Sequence, residues 1–285
     1  MIEAERSDGR PDDVTIIVPL LHQNDRWLRR ALRSAVNQTQ LVDVLVVTSP
    51  RTPSSNRATL DCVAREASNL RVMDRKRPGF PAGLNEAIEA SKGDRIGLLL
   101  TDDWLAPSAV AKCAAFDQDI VCTQKMTWAE DGLTPVERPW KFLKNSTYER
   151  LPTLERKASY LGHFFLFQKR MIEKIGGLDE TLGDTPGIDD FDMIWTLLEQ
   201  GATARIVEEK LYNYRDHSGA RLTLRPREEM IATMKRIIRK HGIVGAEAEE
   251  VLARHARSFG KTAQTVVAEM RAQGLSHPDE AYSDE

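Results

Sequence analysis

The chain has 285 residues, of which 41% are hydrophobic and 29% are charged, and this composition is typical of a soluble globular protein with one large or two small domains. Its formal net charge of −3 provides no bulk positive field for nucleic acid, so no nucleic-acid partner is expected. The polar segment Met1 to Asp13 and the lack of any apolar run near ~20 residues argue against a secretory signal and a membrane span. A cytoplasmic location is therefore expected, and the three cysteines, which lack metal-ligand spacing, are expected to be free thiols.

The first half of the chain alternates apolar, β-branched runs with helical patterns. The segment Val14 to Val18 is β-branched and ends at Pro19, which predicts a first strand. The next segment, Asp25 to Asn37, places its apolar residues on one helical face. The alternation continues with predicted strands at 41–47, 70–73 and 96–100 and predicted helices at 54–68 and 82–91. Strands that alternate with helices predict an α/β fold with a mostly parallel sheet and right-handed crossovers.

The second half is less regular. A helix to about residue 118 and a strand at 120–123 precede a long excursion over the sheet at 125–160. The aromatic residues of this excursion suit either core packing or a platform on which a ligand stacks, and they include Trp128, Trp140 and Phe142. The remaining predicted elements are a strand at 162–167, an acidic loop at 184–192, a helix at 191–200 and short strands at 204–207 and 210–214.

After Pro226 the pattern becomes helical throughout. Predicted helices at 227–241, 246–255 and 261–272 follow one another, and the first carries an apolar face with basic residues opposite. That face can dock on the body of the protein, on a second copy in a homo-oligomer, or on the inner face of a membrane as a peripheral contact. The predicted organisation is an α/β domain at 13–222, a C-terminal helical extension at 223–275 and an acidic flexible tail at 276–285.

Two adjacent carboxylates, Asp102 and Asp103, follow the apolar run Ile96 to Leu100. Ligands bind at the carboxyl ends of strands in open α/β sheets. Adjacent acids repel one another, and a divalent cation such as Mg²⁺ or Mn²⁺, shared with water and substrate phosphate, would stabilise them. The alternative is a solvated loop with two surface acids, because charged residues are mostly exposed.

Seven segments, in this order, resemble the family-2 inverting glycosyltransferases, which have the GT-A fold that binds nucleotide-diphospho-sugars. The segments are 15–19 (TIIVP), 31–39 (ALRSAVNQT), 83–88 (GLNEAI), 99–107 (LLTDDWLAP), 175–180 (IGGLDE), 189–192 (DDFD) and 211–217 (LYNYRDH). Each is weak alone, but together they cover about residues 13–222. The resemblance implies a GT-A fold, a nucleotide-sugar donor such as a UDP-, GDP- or dTDP-sugar, and inversion at the transferred sugar.

The resemblance also implies roles for individual residues on the donor side. Asp103 is the implied metal ligand, and His217 could bind the cation, touch phosphate or do neither. Asp102 is expected to face the ribose or the donor sugar. The other donor-side candidates are Pro19, Asn85, Thr101 and Arg215, and Arg215 with Arg221 could assist the diphosphate or carry only solvated surface charge.

The implied catalytic base lies in the DDFD segment. The chemistry alone does not choose between Asp189, Asp190 and Asp192, and acids at the start of a helix also favour its dipole. The resemblance selects Asp190. Asp189 is the alternative base and stands where the family more often has Glu.

Two acids that the family usually has are absent here. Leu100 replaces one, and Thr48 or Ser49 replaces another, which typically reads the nucleobase. These losses motivate an alternative function, a catalytically degenerate domain that binds a nucleotide or a partner protein. A nucleotidyltransferase would need a glycine-rich phosphate loop, and residues 19–24 contain no glycine. The acceptor stays open between a glycan, a lipid-linked sugar, a protein and a small molecule.

Overall fold

The computed structural model describes residues 14–136, 144–183, 188–219 and 224–273. The strands are β1 (Val14–Pro19), β2 (Asp43–Thr48), β3 (Leu70–Asp74), β4 (Arg95–Leu98), β5 (Trp104–Leu105), β6 (Ile120–Trp128), β7 (Phe165–Gln168) and β8 (Ala204–Arg215). The helices are α1 (Asp25–Val36), α2 (Ser54–Glu66), α3 (Phe80–Ala90), α4 (Ala109–Ala114), α5 (Asn145–Glu149), α6 (Leu154–Tyr160), α7 (Lys169–Lys174), α8 (Asp189–Glu199), α9 (Arg227–Lys240), α10 (Gly245–His255) and α11 (Ala263–Ala272). Trp140, Phe142, Arg221 and the expected acidic tail lie outside the described residues.

The described strands form one eight-stranded sheet with the order β3-β2-β1-β4-β7-β6-β8-β5. Strands β1 to β4 pair in parallel, as the intervening helices predict. In the second half, β7 runs antiparallel to both β4 and β6, whereas β6 and β8 are parallel. The sheet is therefore parallel on one side and mixed on the other.

Helices cover both faces of the sheet, which explains the unbroken apolar runs of the first strands. Within β1, Ile16 and Val18 join one buried cluster while Ile17 joins the other, because alternate strand residues point to opposite faces. Helices α1, α2 and α4 contribute to the first cluster, and α3, α6 and α8 to the second. The carboxyl ends of β1 and β4 remain as the edge at which side chains can meet a ligand.

The C-terminal helices pack on the body of the protein. The apolar face of α9 is buried in the same cluster as α8, through Met230, Met234, Ile237 and Ile238. Val251 of α10 belongs to this cluster too. Of the three partners that the sequence left open for this face, the structure shows the protein's own core. None of the helices in the described ranges is long and apolar enough to cross a bilayer.

Three differences from the sequence-based elements lie next to the site. The strand expected at 162–167 begins only at Phe165, so His163 precedes it. The two short strands expected at 204–207 and 210–214 are one strand, β8, whose pairing with β6 shifts register near Thr123 and Gln124. The strand expected at 96–100 ends at Leu98, and the chain turns before Asp102. The turn leads into β5, which pairs with β8 and so places the two acids beside Arg215.

Candidate active site

The carboxylate of Asp103 is enclosed by β8. Its side chain accepts a hydrogen bond from the Tyr212 hydroxyl at 2.6 Å and one from the Arg215 backbone N–H at 2.7 Å. Asp103 is only 1% exposed. Burial, together with the charge of Asp103, raises the pKa of Tyr212 well above its ordinary value, so that Tyr212 remains a hydrogen-bond donor. Both oxygens of Asp103 therefore serve to fasten the acidic turn to β8.

Asp102 is the more accessible of the two acids, and its partner His217 is buried, with a side chain that is 3% exposed. The distance from His217 Nε2 to Asp102 Oδ2 is 3.1 Å, and the Asp102 side chain is 19% exposed. The His217 ring also packs against Trp27 of α1, with 4.7 Å between ring centroids. Two of the predicted donor-side residues thus meet, and in this geometry Asp102 is better placed than Asp103 to contact a cation.

Arg215 lies beneath the acidic turn. Its side chain donates to the backbone carbonyls of Asp102 at 3.0 Å and Glu130 at 2.7 Å, and it also packs on the rings of Trp27 and Trp104. Burial and, next, the nearby charge of Arg30 lower the pKa of Arg215. The structure therefore corrects the view of Arg215 as a surface cation, because its guanidinium is committed to holding the turn.

The remaining donor-side residues fall into two groups. Pro19 and Thr101 lie at the carboxyl ends of β1 and β4, and the Thr101 hydroxyl accepts a hydrogen bond from the Gln23 side chain at 3.3 Å. Asn85 does not join them. Its side chain bonds to both backbone groups of Leu178, at 3.0 and 2.8 Å, and so fixes the turn at 176–178. The structure thus gives Asn85 a structural contact in place of the predicted donor contact.

The carboxylate of Asp190 faces His163, a residue that the motifs did not indicate. Asp190 Oδ2 lies 3.2 Å from His163 Nε2, and its side chain is 17% exposed. Its other oxygen accepts from the Phe191 backbone N–H at 2.8 Å. Burial alone would raise the pKa of Asp190, but the hydrogen bond and charge of His163, the Phe191 N–H and the charge of Lys125 together lower it. Asp190 is therefore held as a carboxylate.

A continuous set of contacts joins the two acidic groups. The His163 ring stacks on Tyr212, with 5.3 Å between ring centroids and 26° between the planes. The hydroxyl of the same tyrosine donates to Asp103. His163 and Tyr212 therefore link Asp190 to the acidic turn, although sequence spacing gives no sign of it, because the residues come from three separate elements.

The other acids of the DDFD segment have different surroundings. Asp189 is buried and accepts from the Asp190 backbone N–H at 3.0 Å. Asp192 is buried on the far side of α8, where it contacts Lys240 and His241. Asp189 and Asp190 line the cavity described next, whereas Asp192 does not.

A cavity of about 320 Å³ opens at Asp190. Its polar lining includes Lys125, His163 and Tyr214. The apolar side chain of Leu100 also lines it. The cavity continues between the sheet and α8 along apolar side chains that include Ile17, Leu84, Leu98, Phe165 and Ile194. A mostly apolar cavity with a few convergent polar groups is the usual form of a small-molecule site.

The sheet is thus mixed, with the Asp102–His217 pair at its carboxyl edge and further carboxylates in the first turn of α8. Residues 15–176 match the family model described as glycosyl transferase family 2. The match covers more than half of the chain, and the chain belongs to this family.

Curated relatives share part of this chain. It is 29% identical over 213 residues to the O-antigen biosynthesis protein RfbC of Myxococcus xanthus, covering 73% of this chain and 16% of that protein. It is 27% identical over 197 residues to the chondroitin synthase of Pasteurella multocida (strain Pm70), covering 66% of this chain and 19% of that protein. The chain thus spans less than a fifth of the length of these relatives.

Solved structures share the fold. The Pyrobaculum calidifontis mannosyltransferase PcManGT, in complex with GDP-Man and Mn²⁺, has a TM-score of 0.61 and 18% identity, with 96% of this chain and 76% of that chain covered. S. aureus TarS residues 1–349, in complex with UDP, has a TM-score of 0.60 and 13% identity, with 86% and 71% covered. These similarities confirm the GT-A fold.

Proposed function

We propose that this chain transfers a sugar from a nucleotide-diphosphate donor to an acceptor hydroxyl, with the help of a divalent cation and with inversion at the sugar. One observation carries the proposal: the Asp102–His217 pair and the Asp190–His163 pair lie at one edge of the sheet, linked through Tyr212. The first pair suits a diphosphate with its cation, and the second suits a base. The bound GDP-Man, UDP and Mn²⁺ of the structural relatives support this assignment.

Asp102 and His217 are the residues proposed to hold the cation. No group of three or more metal-binding side chains occurs in the ranges that the structure describes. Mg²⁺ commonly uses one or two carboxylates and completes its shell with water and substrate phosphate. Of the two proposed ligands, the Asp102 carboxylate is the type that suits Mg²⁺ or Mn²⁺. When bound, the cation neutralises charge that develops on the leaving diphosphate. Asp103 supports the turn from behind, through Tyr212 and Arg215.

Asp190 is proposed to accept the proton of the attacking hydroxyl. Its carboxylate is ionised and lines the cavity, which can receive an acceptor. Direct attack by the acceptor needs a base and no protein nucleophile, and it inverts the sugar carbon. His163 and Lys125 stabilise the anionic form of Asp190 before the proton arrives.

Asp74 is proposed to contact the nucleobase, in place of the acid that is absent at Thr48 or Ser49. It ends β3 beside Thr48, whose hydroxyl donates to its carboxylate at 2.6 Å. The Asp74 side chain is 62% exposed, and the bonds from Thr48 and Arg57 lower its pKa. An exposed, ionised carboxylate can accept a hydrogen bond from a nucleobase N–H.

The sugar acceptor is proposed to be a growing glycan, in line with the names of the curated relatives.

A binding domain without catalysis is the second candidate, because Leu100, which lines the cavity, stands where the resemblance implies an acid. One experiment distinguishes the sugar transferase from the binding domain. UDP-, GDP- and dTDP-sugars are titrated with and without Mn²⁺, thermal unfolding is recorded, and donor hydrolysis is followed in the same samples. A ligand at 100 times its Kd raises the free energy of unfolding by about 2.7 kcal/mol. Metal-dependent stabilisation with hydrolysis supports the transferase, whereas stabilisation without turnover supports the binding domain.

The same titration assigns the cation ligand. We expect Asp102→Asn to remove the Mn²⁺-dependent part of donor binding with little change in the melting temperature, because its side chain is partly exposed. Asp103→Asn, the matched control, should instead lower the free energy of unfolding by about 1–3 kcal/mol, since it disturbs the buried bonds from Tyr212 and Arg215. Loss of metal dependence in Asp103→Asn alone would return the metal to Asp103.

A further inference from the structure

The end of α9 lies against the helix that carries the proposed base. Lys240 Nζ is 2.7 Å from Asp192 Oδ2, and His241 Nε2 is 3.1 Å from Asp192 Oδ1. Each oxygen of this buried carboxylate thus has its own partner from the C-terminal helices. Asp192 is in the first turn of α8, two residues after Asp190.

The His241 ring contacts three residues along one face of α8. It stacks on Trp195 with 3.9 Å between centroids and 4° between planes, and its Nδ1 is 2.8 Å from Glu199 Oε1. Asp192, Trp195 and Glu199 are spaced at i, i+3 and i+7, so they share a helical face. The side chain of His241 itself is almost fully buried. Its contacts fix the rotation of α8 about its axis as well as its position.

Helix α9 also contacts the segment before α8, at residues 179–181. Lys240 Nζ is 3.1 Å from Asp179 Oδ2, and Arg236 donates to the Thr181 carbonyl at 2.9 Å. From the other side, Asn85 holds Leu178. Lys240 therefore bridges two acids, one on each side of the undescribed residues 184–187.

The other C-terminal helices contact neighbours of site residues as well. The ring of His255 in α10 packs on Phe191, with 4.7 Å between centroids. Both backbone N–H groups at the start of α11, those of Ala263 and Gln264, donate to Asp216 at 2.9 Å. Phe191 follows Asp190 and Asp216 precedes His217 in the sequence. Each of the three helices thus contacts a residue next to the proposed chemistry.

We propose that Lys240 and His241 are positioning residues for Asp190. By holding both oxygens of Asp192, they set the first turn of α8 so that the Asp190 carboxylate meets His163 at the mouth of the cavity. The donor binds at the other acidic group, so these two residues act on turnover and leave donor affinity unchanged. This inference rests on the proposed function, because it takes Asp190 as the base.

The experiment compares Lys240→Met and His241→Gln with Lys235→Met, which removes an exposed cation from the same helix. Calorimetric titration with UDP and Mn²⁺ counts the folded donor-binding sites and gives Kd, and kcat is then expressed per binding site, below the melting temperature of each variant. Both variants should lose about tenfold to 10²-fold in kcat with Kd and KM for the donor within about twofold, because a shift of about 1 Å at a reacting group costs that much. Lys235→Met should match the wild type, and Lys240→Arg should restore most of the rate.

Glu199→Gln provides a milder variant, since it removes only the outer partner of His241 and that side chain is 36% exposed. We expect an intermediate loss in kcat. Wild-type kcat per binding site in Lys240→Met, His241→Gln and Glu199→Gln would overturn the inference while leaving the proposed function intact. A wild-type protein that binds no nucleotide with metal would overturn the proposed function, and the inference with it.

Discussion

At the scale of single residues, the contact between Asp190 and His163 sets the pH range of the proposed base. The pKa of Asp190 is lowered although burial alone would raise it, because His163, the Phe191 N–H and Lys125 favour the charged form. A lowered folded-state pKa means that the stability contributed by this carboxylate is present above the unfolded pKa of about 3.9 and is lost as the pH falls through the folded value. The base is thus ionised throughout the neutral range.

Replacing His163 should change the pH at which Asp190 becomes protonated. In His163→Gln, the largest of the effects that offset burial is removed while Lys125 and the Phe191 N–H remain, so the pKa of Asp190 should rise and the acid limb of the kcat/KM profile should shift to higher pH. Asp190→Asn should lower kcat by about 10²–10⁴-fold at every pH, with donor binding retained. The measurement is the pH profile of transfer or donor hydrolysis for both variants. An unchanged acid limb in His163→Gln would show that Asp190 does not control it.

The residue scale also shows what motifs can and cannot provide. Asp102, Asp190 and His217 stand in short segments whose order along the chain indicated the site, and the structure brings Asp102 and His217 into contact. His163 and Tyr212 had no such signal, because their roles arise from contacts between the loop before β7, strand β8 and helix α8. Asn85 lies in a matching segment, yet its amide bonds to the turn at Leu178.

At the scale of elements, the turn before α8 depends on a glycine that packs against α3. Gly177 has a φ of +85°, and a Cβ there would lie 2.4 Å from Asn85 Oδ1. Neighbouring Gly176 has a φ of +79°, but a Cβ there would meet nothing within 4 Å. The two glycines share the conformational requirement and differ in the space around them, so they form a matched pair.

Gly176→Ala should destabilise the protein by about 1–2 kcal/mol, the cost of a left-handed conformation for an L-residue. Gly177→Ala should cost more, because the methyl group also displaces the Asn85 side chain and its bonds to Leu178. Chemical denaturation of the two variants measures the difference. Adding Asn85→Ala to Gly177→Ala removes the clash, so the glycine substitution should cost less in that background. Equal losses for the two glycines would show that the contact with Asn85 contributes nothing.

The ends of helices and strands could be predicted from the sequence where hydrogen bonds between neighbouring residues determine them. Helix α1 begins at Asp25 as the sequence predicts, and the Asn24 side chain accepts from the Arg26 N–H at 2.9 Å. The sequence predicts two strands in place of β8, because charged residues within it interrupt the apolar pattern. In the structure, register shifts against β6 allow a single strand to continue past these residues. Tertiary pairing of this kind leaves no mark on the local sequence.

At the scale of the whole molecule, the alternating strands and helices predicted the α/β fold, and the matched family and structural relatives confirm it. The relation of the C-terminal helices to that fold was less predictable, because an amphipathic face looks alike whether it meets the body, another copy or a membrane. The side chains of Met234 and Ile237 complete the same core cluster as Ile194 and Leu197 of α8. Helices that share a core are expected to open together.

Hydrogen exchange tests this expectation on the intact chain. The amides of Met234 to Ile238 should exchange with the same free energy of opening as those of Ile194 to Leu198, because exposing the face of α9 also exposes the facing side of α8 and the buried Asp192. His241→Gln should lower the opening free energy of both segments, while Lys235→Met, on the exposed side, should change neither. Opening of α9 at a much lower free energy than α8 would show that the helical extension is a separate unit. In that case the rotation of α8 could not depend on α9.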